Sequence, residues 1–400
     1  MSCPIVNFDH HSRDYAANRL QILADLRNNH PIAWTNSNGG HWVVTSYELV
    51  RKVIMDDEGF TAQHIPGVRS GITIPESDRP RIIPGETDGE EHVRYRVALR
   101  DRFSRPAIAG DQEWIRSLAE NAVDAVVKKG EFDVVADLAL PIPTAAVLHL
   151  LQLDVENPVR YFRAVELAIG IRVEEDVDRD EESIRADIES VWDTLFRAVL
   201  QKRAQPDDGL ISFLVQREPP LSDIEIRDIV VSTVLGGART TAALIENMLW
   251  HLDVHRDLRA SLTADLSLIP KAVDEFIRLI SPAQVVARTA TKDIELGGVL
   301  VKKGDRVLVS WQSANHDEAA FADSETFRLD RPRRPHVGFG VGAHACLGTW
   351  LARAEAEHTL GFVLTKMPDY ELDLENCRRY EDMLVNQWLV MPASASGFSS

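Results

Sequence analysis

One cysteine inside a run of glycines is the most chemically loaded stretch of this chain. Residues 336–348 read His-Val-Gly-Phe-Gly-Val-Gly-Ala-His-Ala-Cys-Leu-Gly, with Gly338, Gly340, Gly342 and Gly348 crowded around Cys346. Glycine takes positive φ at no steric cost, so such a loop can turn tightly beneath a bulky group. The bare backbone N–H groups can point at the sulfur, and the helical pattern that follows adds partial positive charge at its N-terminus. Both effects favour thiolate over thiol, whose ordinary pKa is about 8.5. A thiolate held this way is a metal ligand. A glycine loop around a buried structural cysteine uses the same residue types. A zinc site could join Cys346 to His336 or His344, although paired ligands at zinc spacing are lacking.

The spacing Phe339-Gly340-x-Gly342-x-His344-x-Cys346-x-Gly348 resembles the haem-binding signature of the cytochrome P450 family. The resemblance implies one haem b per chain with Cys346 as axial thiolate, Phe339 and Gly348 in the cofactor-holding loop, and His344 beside a haem propionate. Upstream, His92 and Arg96 stand four apart and share a helix face. Alone, they fit a solvated basic face equally well. In the order His92-Val93-Arg94-Tyr95-Arg96 before Phe103-Ser104, they resemble the family helix whose histidine and arginine bind propionates. Arg288 matches another propionate-pairing arginine.

These groups need a scaffold. Ser222-x-x-Glu225 is a capping box opening an apolar helix that runs to about Leu252. Gly236-Gly237-Ala238-Arg239-Thr240-Thr241 interrupts it, although each glycine costs about 1 kcal/mol against alanine. The pair permits a kink and the close approach of a flat ligand. The stretch resembles the family's oxygen-binding groove, so Gly236 and Gly237 are expected against the cofactor. Thr240 matches the threonine that hydrogen-bonds dioxygen there. The family's acid position, which relays protons, holds Arg239 instead. This arginine could organise water, bind a substrate carboxylate, or point away into a salt bridge.

Glu275-x-x-Arg278, ahead of Ser281-Pro282, matches a further family motif, and with Arg331 it reads as a buried structural network. Resemblance also places the substrate pocket. Residues 60–87, rich in Pro, Gly and Ile, supply Ile72 and Ile74, with His64, Ile65 and Val68 as further candidates. The central helix adds Ser232 and Leu235, the stretch after Pro282 adds Gln284 and Val285, and the last loop adds Val385.

Other segments are structural. Residues 32–46 read as two strands around Asn38-Gly39, 111–129 as a core helix ending at Gly130, 292–310 as β-hairpins and 349–366 as a helix. Seven acids within 174–182 read as a solvating run that by resemblance falls in a lid. The expected fold is mainly α with a smaller β part (α+β), the P450 fold, as a single haem-thiolate oxygenase domain over 1–400.

Composition agrees with this reading. The 400 residues are 44% hydrophobic and 26% charged, which suits a well-cored protein. A formal net charge of −18 argues against nucleic acid as a partner. Cys3, Cys346 and Cys377 are too few and too scattered for a disulfide framework. No signal peptide, anchor or apolar run of bilayer length is apparent, so a soluble, cytoplasmic, bacterial-type protein is expected.

The leading expectation is a haem-thiolate monooxygenase inserting one oxygen atom into a mainly apolar small molecule, such as a terpenoid or aromatic natural product. Electrons would come from a separate ferredoxin and ferredoxin reductase, docked on a patch of Arg100, Arg102, Arg105, Arg333, Arg334 and Arg353. Ordinary surface arginines explain that patch as well. The alternatives are atypical haem-thiolate chemistry (peroxide use, oxidative coupling or rearrangement), suggested by Arg239, and a haem-binding sensor without turnover.

Overall fold

The computed structural model describes residues 4–76, 79–168, 179–332, 334–380 and 384–395. A helical body is built around the long helix the capping box opens, and a small sheet flanks it. Seven helices position the site: α1 (Arg13–Asn29), α2 (Gly89–Leu99), α3 (Pro141–Leu151), α4 (Pro158–Ala168), α5 (Asp223–Val254), α6 (Ile269–Ile280) and α7 (Thr349–Lys366).

The capping box forms at the start of α5. Ser222 Oγ accepts from Glu225 N at 3.2 Å, and Glu225 Oε2 accepts from Ser222 N at 2.7 Å. The same carboxylate accepts from Arg94 Nη1 at 2.7 Å and from the Tyr95 hydroxyl at 2.7 Å. One capping residue therefore also anchors α2 to α5. Beyond it α5 is apolar on most faces, as befits a helix surrounded by protein. Together with the stretch Val134–Leu151, α5 is long and apolar enough to cross a membrane. The sequence reading found no such run. Both windows are mostly buried inside the protein, at 72% and 67%.

The main sheet has six strands in the order Ile5–Val6, Ile32–Thr35, His41–Val44, Arg306–Ser310, Val285–Ala290, Phe60–Thr61. The hairpin read at 32–46 is present, with Asn38 and Gly39 at positive φ in its turn. The hairpin expected over 292–310 forms only between Ile294–Leu296 and Val299–Val301. Arg306–Ser310 instead lies between His41–Val44 and Val285–Ala290, because all five of its residues are buried and need neighbours on both sides. Of the acidic run, Glu174, Glu175, Asp176 and Asp178 lie outside the described residues. Asp180 caps helix Glu181–Ala204 by accepting from Ser183 N at 2.8 Å, and Glu181 and Glu182 sit in its first turn, where acids suit the helix dipole.

Glu275, Arg278 and Arg331 form one buried network. Arg278 Nε and Nη2 grip the Glu275 carboxylate at 2.9 and 2.8 Å, and Arg331 Nε adds a bond of 3.0 Å. Arg278 Nη1 also donates to the carbonyls of Asn315 and Ser324, both at 2.7 Å. The guanidinium thus clamps α6 to the coil that leads toward the cysteine loop. Arg278→Ala is expected to lower the unfolding free energy by about 3–5 kcal/mol, because it strands a buried carboxylate. Arg116→Ala, which removes exposed pairs with Glu113 and Glu120, should cost below about 1 kcal/mol. Denaturant melts of the two variants measure the contrast.

Candidate active site

The loop before α7 turns at Gly340 and Gly342, both at positive φ, and closes with Cys346 N donating to Phe339 O at 2.7 Å. Gly338 is glycine for space, since a Cβ there would meet Ile277 Cγ2 at 2.8 Å. This delivers Cys346 three residues ahead of α7, into the wall of an apolar cavity of about 350 Å³. Cys346 counts as exposed although it lies deep in the molecule, because the surface it presents is that wall. Burial pushes its thiol up, outweighing the Gly348 N–H, Thr349, Arg96 and Arg353, which all favour the thiolate. The chain's own groups therefore do not hold the sulfur as a thiolate. A metal cation bound at the sulfur would do so, by displacing its proton.

Gly236, Gly237, Thr240 and Ser232 from α5 line the same cavity. The two glycines differ in kind. Open space lies where a Cβ of Gly236 would stand, whereas one at Gly237 would meet Val147 Cγ2 of α3 at 2.2 Å. Gly236 thus leaves room in the cavity, and Gly237 lets α3 close on α5. Thr240 Oγ1 donates to Gly236 O at 3.0 Å, which leaves its lone pairs free to accept.

Arg239 points elsewhere. It is buried, its Nε donates to Glu166 Oε1 of α4 at 2.6 Å, Nη2 ion-pairs with the same oxygen, and the guanidinium lies 5.3 Å from the Tyr380 ring centre. Arg163 braces Glu166 from the other side at 2.8 Å. Near this pair burial pushes the Glu246 carboxyl up to about 8, against the Trp388 N–H that favours its charged form. Arg239 does not border the cavity, because Glu166 holds it on the α4 side of α5.

At the other end of the cavity, α2 docks on the cysteine loop. His92 Nε2 meets Ala343 O at 3.1 Å, and Arg96 Nη1 donates to Ala345 O at 2.7 Å. The His92 and His344 rings are 4.1 Å apart. His344 Nε2 bonds Asp88 Oδ1 at 3.1 Å, while its buried Nδ1 has no partner among the described residues. Burial lowers the His344 pKa, and Arg288 lowers it further against the pull of Asp88. Arg288 is 4% exposed, and the one hydrogen bond of its side chain among the described residues is to Ala287 O at 2.9 Å. Burial pushes it down to about 10. The buried Arg288 guanidinium is short of an acceptor, and His344 Nδ1 beside it would donate once the ring is protonated, so the two fit the carboxylates of a haem. The apolar cavity with one sulfur in its wall fits the rest of that group.

Several expected wall residues lie elsewhere. Ile74 and Val285 pack into the core beneath the sheet. Ile72 is tied by its backbone, N to Glu86 Oε1 at 3.1 Å and O to Ala287 N at 2.8 Å. The 60–87 segment does reach the cavity, through Ile82, Ile83 and Pro84. Leu235 packs on the helical core. Gln284 is fully buried, but its neighbours Pro282 and Ala283 line the wall, and Val385 pairs with Ala283. Sequence reasoning missed Glu355. It shares one face of α7 with Gly348, Leu351 and Ala352, all at three- or four-residue spacing and all in the wall. It is fully buried, neither carboxylate oxygen has a partner among the described residues, and burial raises its pKa well above the carboxylate range.

A glycine-turned cysteine loop facing a glycine–threonine helix across an apolar cavity defines a haem-thiolate protein, and comparison with known proteins agrees. The family model for Cytochrome P450 matches residues 172–393. A steroid C26-monooxygenase of Mycolicibacterium smegmatis is 30% identical over 358 residues, covering 87% of this chain and 85% of that one. The mycinamicin VIII C21 methyl hydroxylase of Micromonospora griseorubida is 31% identical over 349 residues, 84% of each chain. Among solved structures, a mutant of P450 EryK in complex with erythromycin B superposes at a TM-score of 0.84 with 26% identity, over 96% of this chain and 98% of that one. CYP109Q5 from Chondromyces apiculatus superposes at 0.85 with 24% identity, over 98% and 99%. The chain belongs to the cytochrome P450 family. It is accordingly a haem-binding oxidoreductase of the monooxygenase type, acting on a small organic substrate with a redox partner protein.

The two glycines provide a test. Gly237→Ala should destabilise the protein despite a helix-propensity gain of about 1 kcal/mol, and Val147→Ala should restore part of the loss. Gly236→Ala should keep or raise the unfolding midpoint but weaken haem retention, because its methyl group enters the cavity. Thermal melts and haem-to-protein absorbance ratios read both effects.

Proposed function

We propose that the chain is a cytoplasmic haem-thiolate monooxygenase that takes electrons from a ferredoxin and its reductase and inserts one oxygen atom into a mainly apolar molecule. The observation that carries this reading is the Cys346 side chain in the wall of an apolar cavity shared with Gly236 and Thr240. Cys346 is the metal ligand, and its loop glycines hold the sulfur at the wall. When bound, haem supplies the activation of dioxygen. His92, Arg96, His344 and Arg288 hold its carboxylates. Thr240 Oγ1 keeps its proton on Gly236 O and accepts from a protonated oxygen in the cavity, which orients that proton. Wall residues such as Phe103, Leu244 and Trp311 exclude water and favour an apolar substrate. Neither Cys346 nor Cys377 forms a disulfide among the described residues, which suits a reducing compartment.

For the electron donor, Arg353 lies beside the cysteine loop, stacked 4.8 Å over Phe339 and ion-paired with Asp274. Arg105 lies 5.2 Å over Trp350, which is itself exposed just past Cys346. Arg100 pairs with Asp101 at 3.3 Å, Arg102 lies over Phe213, and Arg334 lies over Tyr47. Arg333 lies outside the described residues. Arg105 and Arg353 beside Trp350 are the best-placed cations for an acidic ferredoxin. Atypical chemistry loses its support, since Arg239 was its one observation and it faces Glu166.

Two experiments test this reading. The reduced carbon-monoxide complex should show the strongly red-shifted Soret band of thiolate ligation, and Cys346→Ser should abolish it. Retention of the band in that variant would remove Cys346 as ligand. Separately, Arg239→Asp should cost about 3–5 kcal/mol of stability by setting two buried carboxylates against each other. The double variant Arg239→Asp with Glu166→Arg should recover much of that loss. Equal stability of Arg239→Asp and the parent protein would contradict the buried pair.

A further inference from the structure

Two guanidinium groups converge without a hydrogen-bonded carboxylate among the described residues. Arg19 of α1 donates from Nη2 to Asn386 Oδ1 at 2.9 Å, and Arg379 donates from Nη1 to the same oxygen at 2.9 Å. Among the described residues neither forms an ion pair, and both are half-buried. The further amide contact of Arg379, Asn247 Oδ1 at 3.4 Å, is also neutral, and its charge lies 3.9 Å over the Trp388 ring. Two like charges sharing one neutral acceptor repel each other, and an amide oxygen neutralises neither. Burial, and then Arg19 itself, push Arg379 down to about 9 against the weaker pull of the buried Glu246 carboxyl, and burial lowers Arg19. Three further buried polar groups have no partner among the described residues. They are Arg19 Nε, the Tyr15 hydroxyl one turn before Arg19, and the Gln284 amide. Buried donors in this number call for an acceptor.

The position of this pair says which acceptor. Asn386 N donates to Pro282 O at 2.8 Å, Gln284 N donates to Leu384 O at 3.0 Å, and Ala283 pairs with Val385. Pro282 and Ala283 line the cavity that holds Cys346. The arginine pair is therefore tied by one loop to the wall of the substrate chamber. We propose that Arg19 and Arg379, with Asn386 between them, bind the carboxylate of an apolar substrate whose hydrocarbon part fills the cavity. A carboxylate takes the two N–H groups that now share Asn386 Oδ1, and such charge-assisted bonds are about twice as strong as neutral ones. The substrate class is then an apolar carboxylic acid. This deepens the monooxygenase reading and rests on it.

The test uses the haem-loaded protein and a panel of straight-chain and polycyclic carboxylic acids, each paired with its methyl ester. Binding is followed by the Soret shift and by calorimetry. At least one acid should bind about tenfold or more tighter than its ester, the factor expected of a charge-assisted bond. Arg19→Gln and Arg379→Gln should each bring that ratio toward one while leaving the affinity for the ester unchanged. No acid in the panel preferred over its ester, or a preference that survives both substitutions, overturns the proposal. So does a rise in unfolding midpoint with sodium phosphate that needs both arginines but comes with no acid preference, because the pair then holds a free anion. The carbon-monoxide Soret band of the same samples reports thiolate ligation independently. Its presence without acid preference sinks only this proposal, and its absence sinks the monooxygenase reading.

Discussion

Burial that outweighs the counter-charges nearby is the constraint on which this molecule depends. Burial pushes the Cys346 thiol up, lowers His344, raises Glu355 and drives Arg288 down to about 10. Cys346, His344 and Glu355 border one cavity, and Arg288 is close enough to His344 to depress it further. A fold that gathers such groups carries a large desolvation cost. A metal cation beside the sulfur and carboxylates beside Arg288 and His344 would offset the part owed by three of the four. The architecture thus makes most sense as the protein half of a two-component object, stabilised by its cofactor as metal sites are by their metals.

The scaffold serves that arrangement through a few double-duty residues. Glu225 caps α5 and also anchors α2, whose His92 and Arg96 reach the carbonyls beside Cys346. Gly237 admits α3 against α5 while Gly236 keeps the cavity clear. One helix therefore presents unlike faces within four residues, a glycine–threonine face to the cavity and Arg239 to Glu166. The departure from the family pattern at Arg239 belongs to the packing of α4 on α5. Its partner carboxylate is Glu166, across the interface on α4.

The parts legible in the sequence were those set by local chemistry. The cysteine loop announces itself because its glycines are needed one by one, two for positive φ and Gly338 for closeness to Ile277. The capping box and the end of the core helix at Gly130 follow from backbone rules that neighbours rarely override. Long-range pairing was less legible. Arg306–Ser310 looked like a hairpin arm, yet its partners lie far off at His41–Val44 and Val285–Ala290. Ile72 and Ile74 looked like cavity wall because apolar residues in a loop carry no direction, and the isoleucines that reach the cavity, Ile82 and Ile83, stand in the same segment. Arg19 and Arg379 were invisible as a pair, being 360 residues apart and joined through Asn386.

Iron-edge X-ray absorption on the haem-loaded protein tests the central claim most directly, because it counts the atoms bonded to iron. The account predicts one sulfur neighbour together with the porphyrin nitrogens, and loss of that sulfur in Cys346→Ser with the nitrogens retained. A first coordination sphere without sulfur in the parent protein, or one unchanged by the substitution, would contradict it.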